Sequence, residues 1–172
     1  MGGVRVREYD AEDAEAVLQL NQTHLDAVGP LDAERLTWLT DIADRVLVAD
    51  DAGTVAGFVV LIGPDTAYDS PNYHWFLARA PSFLYLDRVV VAPTHRRRGV
   101  ATALYTAAEE LAVPYGAMAL EVYAVPPNEG SLAFHAARGY AEVGRLEQSN
   151  GNTAAMMAKQ LEPCASTRHL NQ

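Results

Sequence analysis

Apolar and charged residues alternate along Val4–Arg7, which predicts a short first strand. The period then changes. Asp10 offers a side-chain cap, and Ala14, Val17, Leu18 and Leu25 recur at helical spacing. Gly29-Pro30 breaks that helix, and Asp32 caps a second with the stripe Leu36, Leu39, Ile42 and Ala43. Val46–Ala49 and Val55–Ile62 read as strands joined by a turn over Asp50–Gly53. Phe83–Ala92 is almost continuously apolar, as a central strand is. Val100, Leu104, Ala107, Ala108 and Leu111 form the buried face of the next helix, which Pro114 ends. Ala117–Val125 is another strand, closed by Pro126-Pro127. Asn128 caps a helix to about Arg138, and Gly139 suits its left-handed terminus. Tyr140–Glu147 and Thr153–Leu161 read as antiparallel strands around Asn150-Gly151.

The strand–helix–strand unit in the middle predicts a right-handed parallel crossover, with hairpin strands on both sides. The expected fold is α/β: one domain over residues 1–162, with a mixed, mostly antiparallel sheet, one central parallel pair and about four helices. Residues 163–172 read as a flexible tail. A ligand is expected at the C-terminal end of the parallel strands, beside the next helix N-terminus. Gly63–Pro81 is a long connection with Tyr68, Tyr73, His74, Trp75 and Phe76. Such a segment serves either as a binding loop or as a core plug with a short helix around Tyr73–Arg79.

Composition narrows the partners. The chain has 172 residues and a formal charge of −9, which argues against nucleic-acid or anionic-membrane binding and weakly favours an amine. Met1–Glu8 has no secretory apolar region, no apolar run suits a bilayer span, and the single cysteine, Cys164, rules out an intrachain disulfide. The expected location is cytoplasmic. Against this acidic background, Arg96-Arg97-Arg98-Gly99-Val100-Ala101 is a local exception at a helix start. Cations there oppose the helix dipole, whereas free N–H groups and a glycine favour a bound phosphate. A solvated basic loop is the plainer reading of that run.

Two carboxylates interrupt the apolar strands. Alternation puts Tyr85, Asp87, Val89 and Val91 on one face, with Arg88 on the other; Ala119, Glu121, Tyr123 and Val125 share a face of the next strand. A carboxylate in such a place is either paired or used, and burial raises its pKa toward that of a general base. In the later helix, Asn128, Ser131 and His135 lie at spacings of three and four on one face. They form either a solvated stripe or a cleft wall, with His135 able to move a proton. The histidines lack metal-ligand spacing, and no Gly-x-Ser-x-Gly, Walker or dinucleotide motif is present.

Arg96-x-x-Gly99-x-Ala101 after an apolar strand resembles the acyl-CoA signature of the GNAT superfamily of N-acetyltransferases. Asn128 to Tyr140, with Phe134-His135 and Gly139-Tyr140, resembles its second signature. Asp69 to Phe76 and Tyr85 to Val91 are similar to a bacterial subgroup of predicted acetyltransferases with no assigned substrate. The resemblance implies acetyl-CoA as cofactor, no metal, and acetyl transfer to a primary amine of a small or amino-acid-like molecule. Val89, Val90 and Val91 would pair with the pantetheine arm. Arg96, Arg97, Arg98, Gly99, Val100, Ala101 and Thr102 would hold the pyrophosphate, with Asn128, Ser131 and His135 lining the arm. Glu121 matches a general-base position. His135 stands where relatives have a tyrosine acid, so the alternatives are Tyr123 or Tyr85 as donor, or a thiolate that leaves unassisted; Asp87 is a further catalytic candidate. Tyr73, Trp75, Tyr85 and Tyr123 would face the acceptor. A peptide or protein N-terminal acetyltransferase and a non-catalytic CoA sensor are the alternative functions, and a homodimer is left open.

Overall fold

Capping side chains start three of the six α-helices in the computed structural model, which describes residues 3–163. Cys164 and the rest of the expected tail lie outside the described residues. The first strand is β1 (Arg5–Glu8). Asp10 and Asp13 then form a reciprocal capping box around a single 3-10 turn, Ala11–Asp13. The helix expected from Asp10 past Leu25 divides into α1 (Ala14–Gln22) and α2 (Leu25–Val28). Between them the Thr23 hydroxyl donates to the Leu20 carbonyl at 2.6 Å, closing α1 locally. The Asp32 carboxylate accepts from the Arg35 N–H at 2.7 Å and opens α3 (Ala33–Ile42).

The hairpin β2 (Arg45–Asp51) and β3 (Thr54–Ile62) follows, then α4 (Pro71–Leu77), which begins on a Ser70 cap. β4 (Leu84–Val91), α5 (Val100–Ala112) and β5 (Ala117–Val125) form the expected crossover. α6 (Glu129–Ala137), β6 (Ala141–Glu147) and β7 (Thr153–Gln160) complete the described chain. The described residues thus hold six α-helices, against the four or so that periodicity suggests. None of them is long and apolar enough to cross a membrane.

The sheet order is β1-β2-β3-β4-β5-β7-β6, with β4 and β5 its parallel pair. One face packs against α1, α3 and α4 through Val17, Leu36, Leu39, Tyr73 and Phe76. The other packs mainly against α5 through Val100, Leu104, Tyr105, Ala108 and Ala112. The aromatic connection is therefore largely a core plug. Tyr68, Tyr73 and Phe76 are each no more than 3% exposed, and the Tyr73 hydroxyl donates to the Gly63 carbonyl at 2.7 Å.

Two details position the site. β4 and β5 pair only at Leu84↔Met118 and Tyr85↔Ala119, and beyond these two rungs the strands part. In the same stretch, β4 pairs with β3 as Leu86↔Leu61 and Arg88↔Val60, so Asp87 is an extra residue without a partner. That irregularity reverses the alternation. Tyr85 and Val90 pack in the α1–α3–α4 core, whereas Val89 and Val91 pack on the α5 side. The expected common face of Tyr85, Asp87, Val89 and Val91 is thereby corrected.

Candidate active site

The opening between β4 and β5 is a cleft of about 160 Å³. Its walls include Asp87, Arg88 and Val89 from β4, Glu121 and Tyr123 from β5, Tyr105 from α5, and Asn128, Ser131 and His135 from α6 or its cap. Ala27 and Val28 of α2 close one side, and Asn72 and Gln148 meet at another with reciprocal side-chain bonds of 3.2 and 3.0 Å.

The two carboxylates have different surroundings. Asp87 is paired: its Oδ2 accepts from Arg88 Nε at 2.7 Å, and its Oδ1 accepts from the Tyr68 hydroxyl. Both side chains of the ion pair are under a tenth exposed, and Arg88 Nη1 donates to the buried Asn21 at 3.0 Å. The expectation that Arg88 points away from Asp87 is overturned by the extra residue in β4. Among the described residues, Glu121 has no cationic partner. Its Oε2 accepts from the Tyr85 hydroxyl at 2.6 Å. Burial pushes its carboxyl up to about 7, and the Asp87 charge adds to this against hydrogen bonds from Tyr85 and Asn72. Burial and the neighbouring Glu121 charge push the Tyr85 phenol well up, so it stays a neutral donor.

The backbone of β4 is half used. The Ala92 N–H donates to the Ala56 carbonyl at 2.8 Å. By strand alternation Val90 also turns its backbone groups to β3, and Val89 and Val91 turn theirs to the open seam. Of the three valines expected to meet a ligand arm, two therefore have edges free to do so.

A second hollow adjoins the cleft at the start of α5, lined by Val91, His95, Arg96, Arg97, Gly99, Val100, Ala101, Thr102 and Phe134. Arg97 and Gly99 both take left-handed backbone angles, φ +59° and +77°, which turn the chain sharply into the helix. The first intrahelical bond there runs from the Ala103 N–H to the Gly99 carbonyl. The preceding N–H groups lie in the turn that has no helical acceptor. A Cβ at Gly99 would meet nothing within 4 Å, so the space above the turn is open. Arg96 donates to His24 Nε2 at 3.1 Å, and Arg98 lies 3.5 Å from Asp51, which also holds His95 at 3.0 Å. A polyanion would fit here, on N–H groups, with Arg97 on the rim.

On α6, Asn128 Oδ1 accepts from the Ser131 N–H at 3.2 Å, so it is both cap and cleft wall. His135 is 5% exposed and bonded at both nitrogens: Nδ1 to the Ser131 carbonyl and Nε2 to the Tyr105 hydroxyl, each at 2.7 Å. Burial depresses its pKa.

The structure thus brings Glu121, Asp87, His135, Tyr123, Asn128 and Ser131 to one cleft. The buried Tyr85 reaches it through Glu121. Tyr73 lies in the core, and the Trp75 ring packs over Gly144 and beneath Arg79, at 3.9 Å. Neither borders the cleft. Tyr105, Asn72 and Gln148 were missed. Tyr105 had one available signal, a hydroxyl in an apolar helical stripe, which needs a buried partner.

The profile of the Acetyltransferase (GNAT) family matches residues 10–140, and the chain belongs to that family. The chain is 32% identical over 102 residues to the L-2,4-diaminobutyric acid acetyltransferase of Nocardia farcinica. That stretch spans 59% of this chain and 46% of the relative, so the chain matches under half of that protein. Among solved structures, Ard1 from Thermoplasma volcanium has a TM-score of 0.74 at 22% identity, covering 94% of this chain and 100% of that one. YncA from Salmonella typhimurium, solved with its cofactor acetyl-CoA, has a TM-score of 0.70 at 20% identity, covering 96% and 98%.

Proposed function

We propose that the chain moves an acetyl group from acetyl-CoA to a primary amine of a small, amino-acid-like molecule, with Glu121 as general base. The observation that carries this reading is Glu121 itself: a carboxyl in the cleft, bonded to the Tyr85 hydroxyl and pushed up to about 7. A free alkylamine has a pKa of about 10 and is almost wholly protonated at neutral pH, so it needs its proton removed before it can attack. Glu121 removes that proton directly or through one water and returns it to solvent. When bound, acetyl-CoA supplies an activated carbonyl carbon.

The free edges of Val89 and Val91 would hold the pantetheine arm as a strand holds its neighbour. N–H groups of Val100, Ala101 and Thr102, with Arg97, would hold the pyrophosphate. Asn128 and Ser131 offer polar groups along the arm. Tyr123, Asn72 and Gln148 border the acceptor side. The cleft is smaller than the roughly 300–1,000 Å³ of whole-ligand pockets, which suits the reacting ends alone. The Nocardia relative's name gives a diamino acid as its substrate, an acceptor of the proposed kind.

The test pairs calorimetry of acetyl-CoA binding with CoA-thiol release from panels of amino acids, diamines and peptides. Binding with turnover of a small amine is expected. Release with peptides alone would place the acceptor at a protein N-terminus. Tight binding without release from any amine would mark a CoA sensor, and ATP binding as tight as CoA would remove the cofactor seat.

A further inference from the structure

His135 stands at the point in α6 where the family resemblance implies the proton donor for the departing sulfur. Its bonds do not suit that task. The Ser131 carbonyl, 2.7 Å from Nδ1, can only accept, so Nδ1 carries the ring proton. Nε2 is then an acceptor, and the Tyr105 hydroxyl donates to it at 2.7 Å. A neutral ring bonded in this way has no proton to give to the cleft. The movable proton of the pair sits on Tyr105.

Tyr105 also borders the cleft, and it stands on α5, the helix whose first turn forms the anion seat. Two other tyrosines of this region commit their hydroxyl protons elsewhere, Tyr85 to Glu121 and Tyr68 to Asp87. Tyr123 keeps its proton, but it stands on β5 by the acceptor wall, where its oxygen accepts from Asn150 at 3.3 Å, and not beside His135. We propose that Tyr105 gives the proton to the departing CoA sulfur, a role that rests on the acetyl-transfer reading above.

The step balances within the site. As the carbon–sulfur bond breaks, its electron pair goes to sulfur, which takes the Tyr105 hydroxyl proton. The phenolate left behind takes the proton that the newly acetylated nitrogen sheds. The products are the neutral amide and the CoA thiol, and the hydroxyl turns back to His135 Nε2. The ionisable groups around Tyr105 are few. Arg138 lies 5.5 Å from its ring centroid and is paired with Glu109, while Glu121 is across the cleft. Burial keeps the phenol neutral, so the proton is present before sulfur departs.

The experiment uses the full chain and CoA itself, so it needs no acceptor. The thiol of bound CoA is titrated by its thiolate ultraviolet absorbance, and affinity is measured by calorimetry. A hydroxyl that bonds sulfur stabilises the thiolate, so the bound thiol pKa should be about one unit higher in Tyr105→Phe than in wild type. CoA affinity should change little. Equal thiol pKa values in two proteins that bind CoA equally would overturn the proposal. Should Tyr105→Phe fail to fold, 3-fluorotyrosine at position 105 keeps the shape and strengthens the donor. The bound thiol pKa should then fall below the wild-type value, and an unchanged value overturns the role. Wild-type protein that binds no CoA would overturn the cofactor reading beneath it.

Discussion

Asp87 and Glu121 stand across the seam of one sheet, yet among the described residues only Asp87 has a counter-charge. Asp87 has Arg88 and Tyr68; Glu121 has neutral donors and the cleft. Arg88→Met would leave the Asp87 carboxylate buried without its guanidinium. The expected loss is about 3–5 kcal/mol, read by urea denaturation. For Glu121 the sign is opposite. Its folded-state value is raised from 4.5 to about 7, so its share of stability is fully present below the lower value. That share is lost as pH rises through the upper one. Glu121→Gln should therefore melt above wild type at pH 8 and match it near pH 4. The same variant should lower kcat by roughly 10²–10⁴-fold while leaving CoA affinity unchanged. In wild type, kcat/KM should fall as pH drops below about 7, and a pH–rate profile identical in the variant would remove the base assignment.

Among the elements, β4 contributes Asp87, Arg88 and Val89 to the cleft. Gly57 of β3 lies beneath it, and a Cβ there would come within 2.7 Å of the Val90 carbonyl oxygen and 3.2 Å of the Val100 side chain. Gly57→Ala should push β4 from β3 or α5 from the sheet, costing roughly 1–3 kcal/mol in chemical denaturation and weakening CoA binding. At the start of α5, Gly99→Glu should abolish CoA binding through charge, while Gly99→Asn, tolerant of the left-handed angle, should retain it. Calorimetry separates the two. The strands and helix starts were legible because punctuation flanks them: Gly116 and Pro126 bracket β5, and Asp32 and Asn128 cap α3 and α6. The extra residue at Asp87 was not legible, since an insertion in a strand leaves the apolar count intact and changes only its phase. The break at Thr23-His24 was hidden likewise, because apolar spacing continues across it. Glu121 stood out as an acid in an apolar strand, whereas Tyr105 was concealed by a stripe into which it fits.

For the whole molecule, the formal charge of −9 and the basic start of α5 act at different ranges. The overall field attracts a cationic amine and repels an anion, and the seat acts only at short distance. The KM of a cationic acceptor should therefore rise as salt shortens the Debye length from about 30 Å to about 8 Å. Initial rates across that range check it, and a falling KM would contradict the electrostatic account.

The two-rung seam has a consequence for backbone exchange with heavy water. Val90 is bonded into the sheet, while Val89 and Val91 on either side of it are not. Consecutive amides should thus swap their hydrogens at fast, slow and fast rates within a buried-looking strand. Such a comb, read residue by residue by nuclear magnetic resonance, would register the filling of the seam as the loss of its fast teeth.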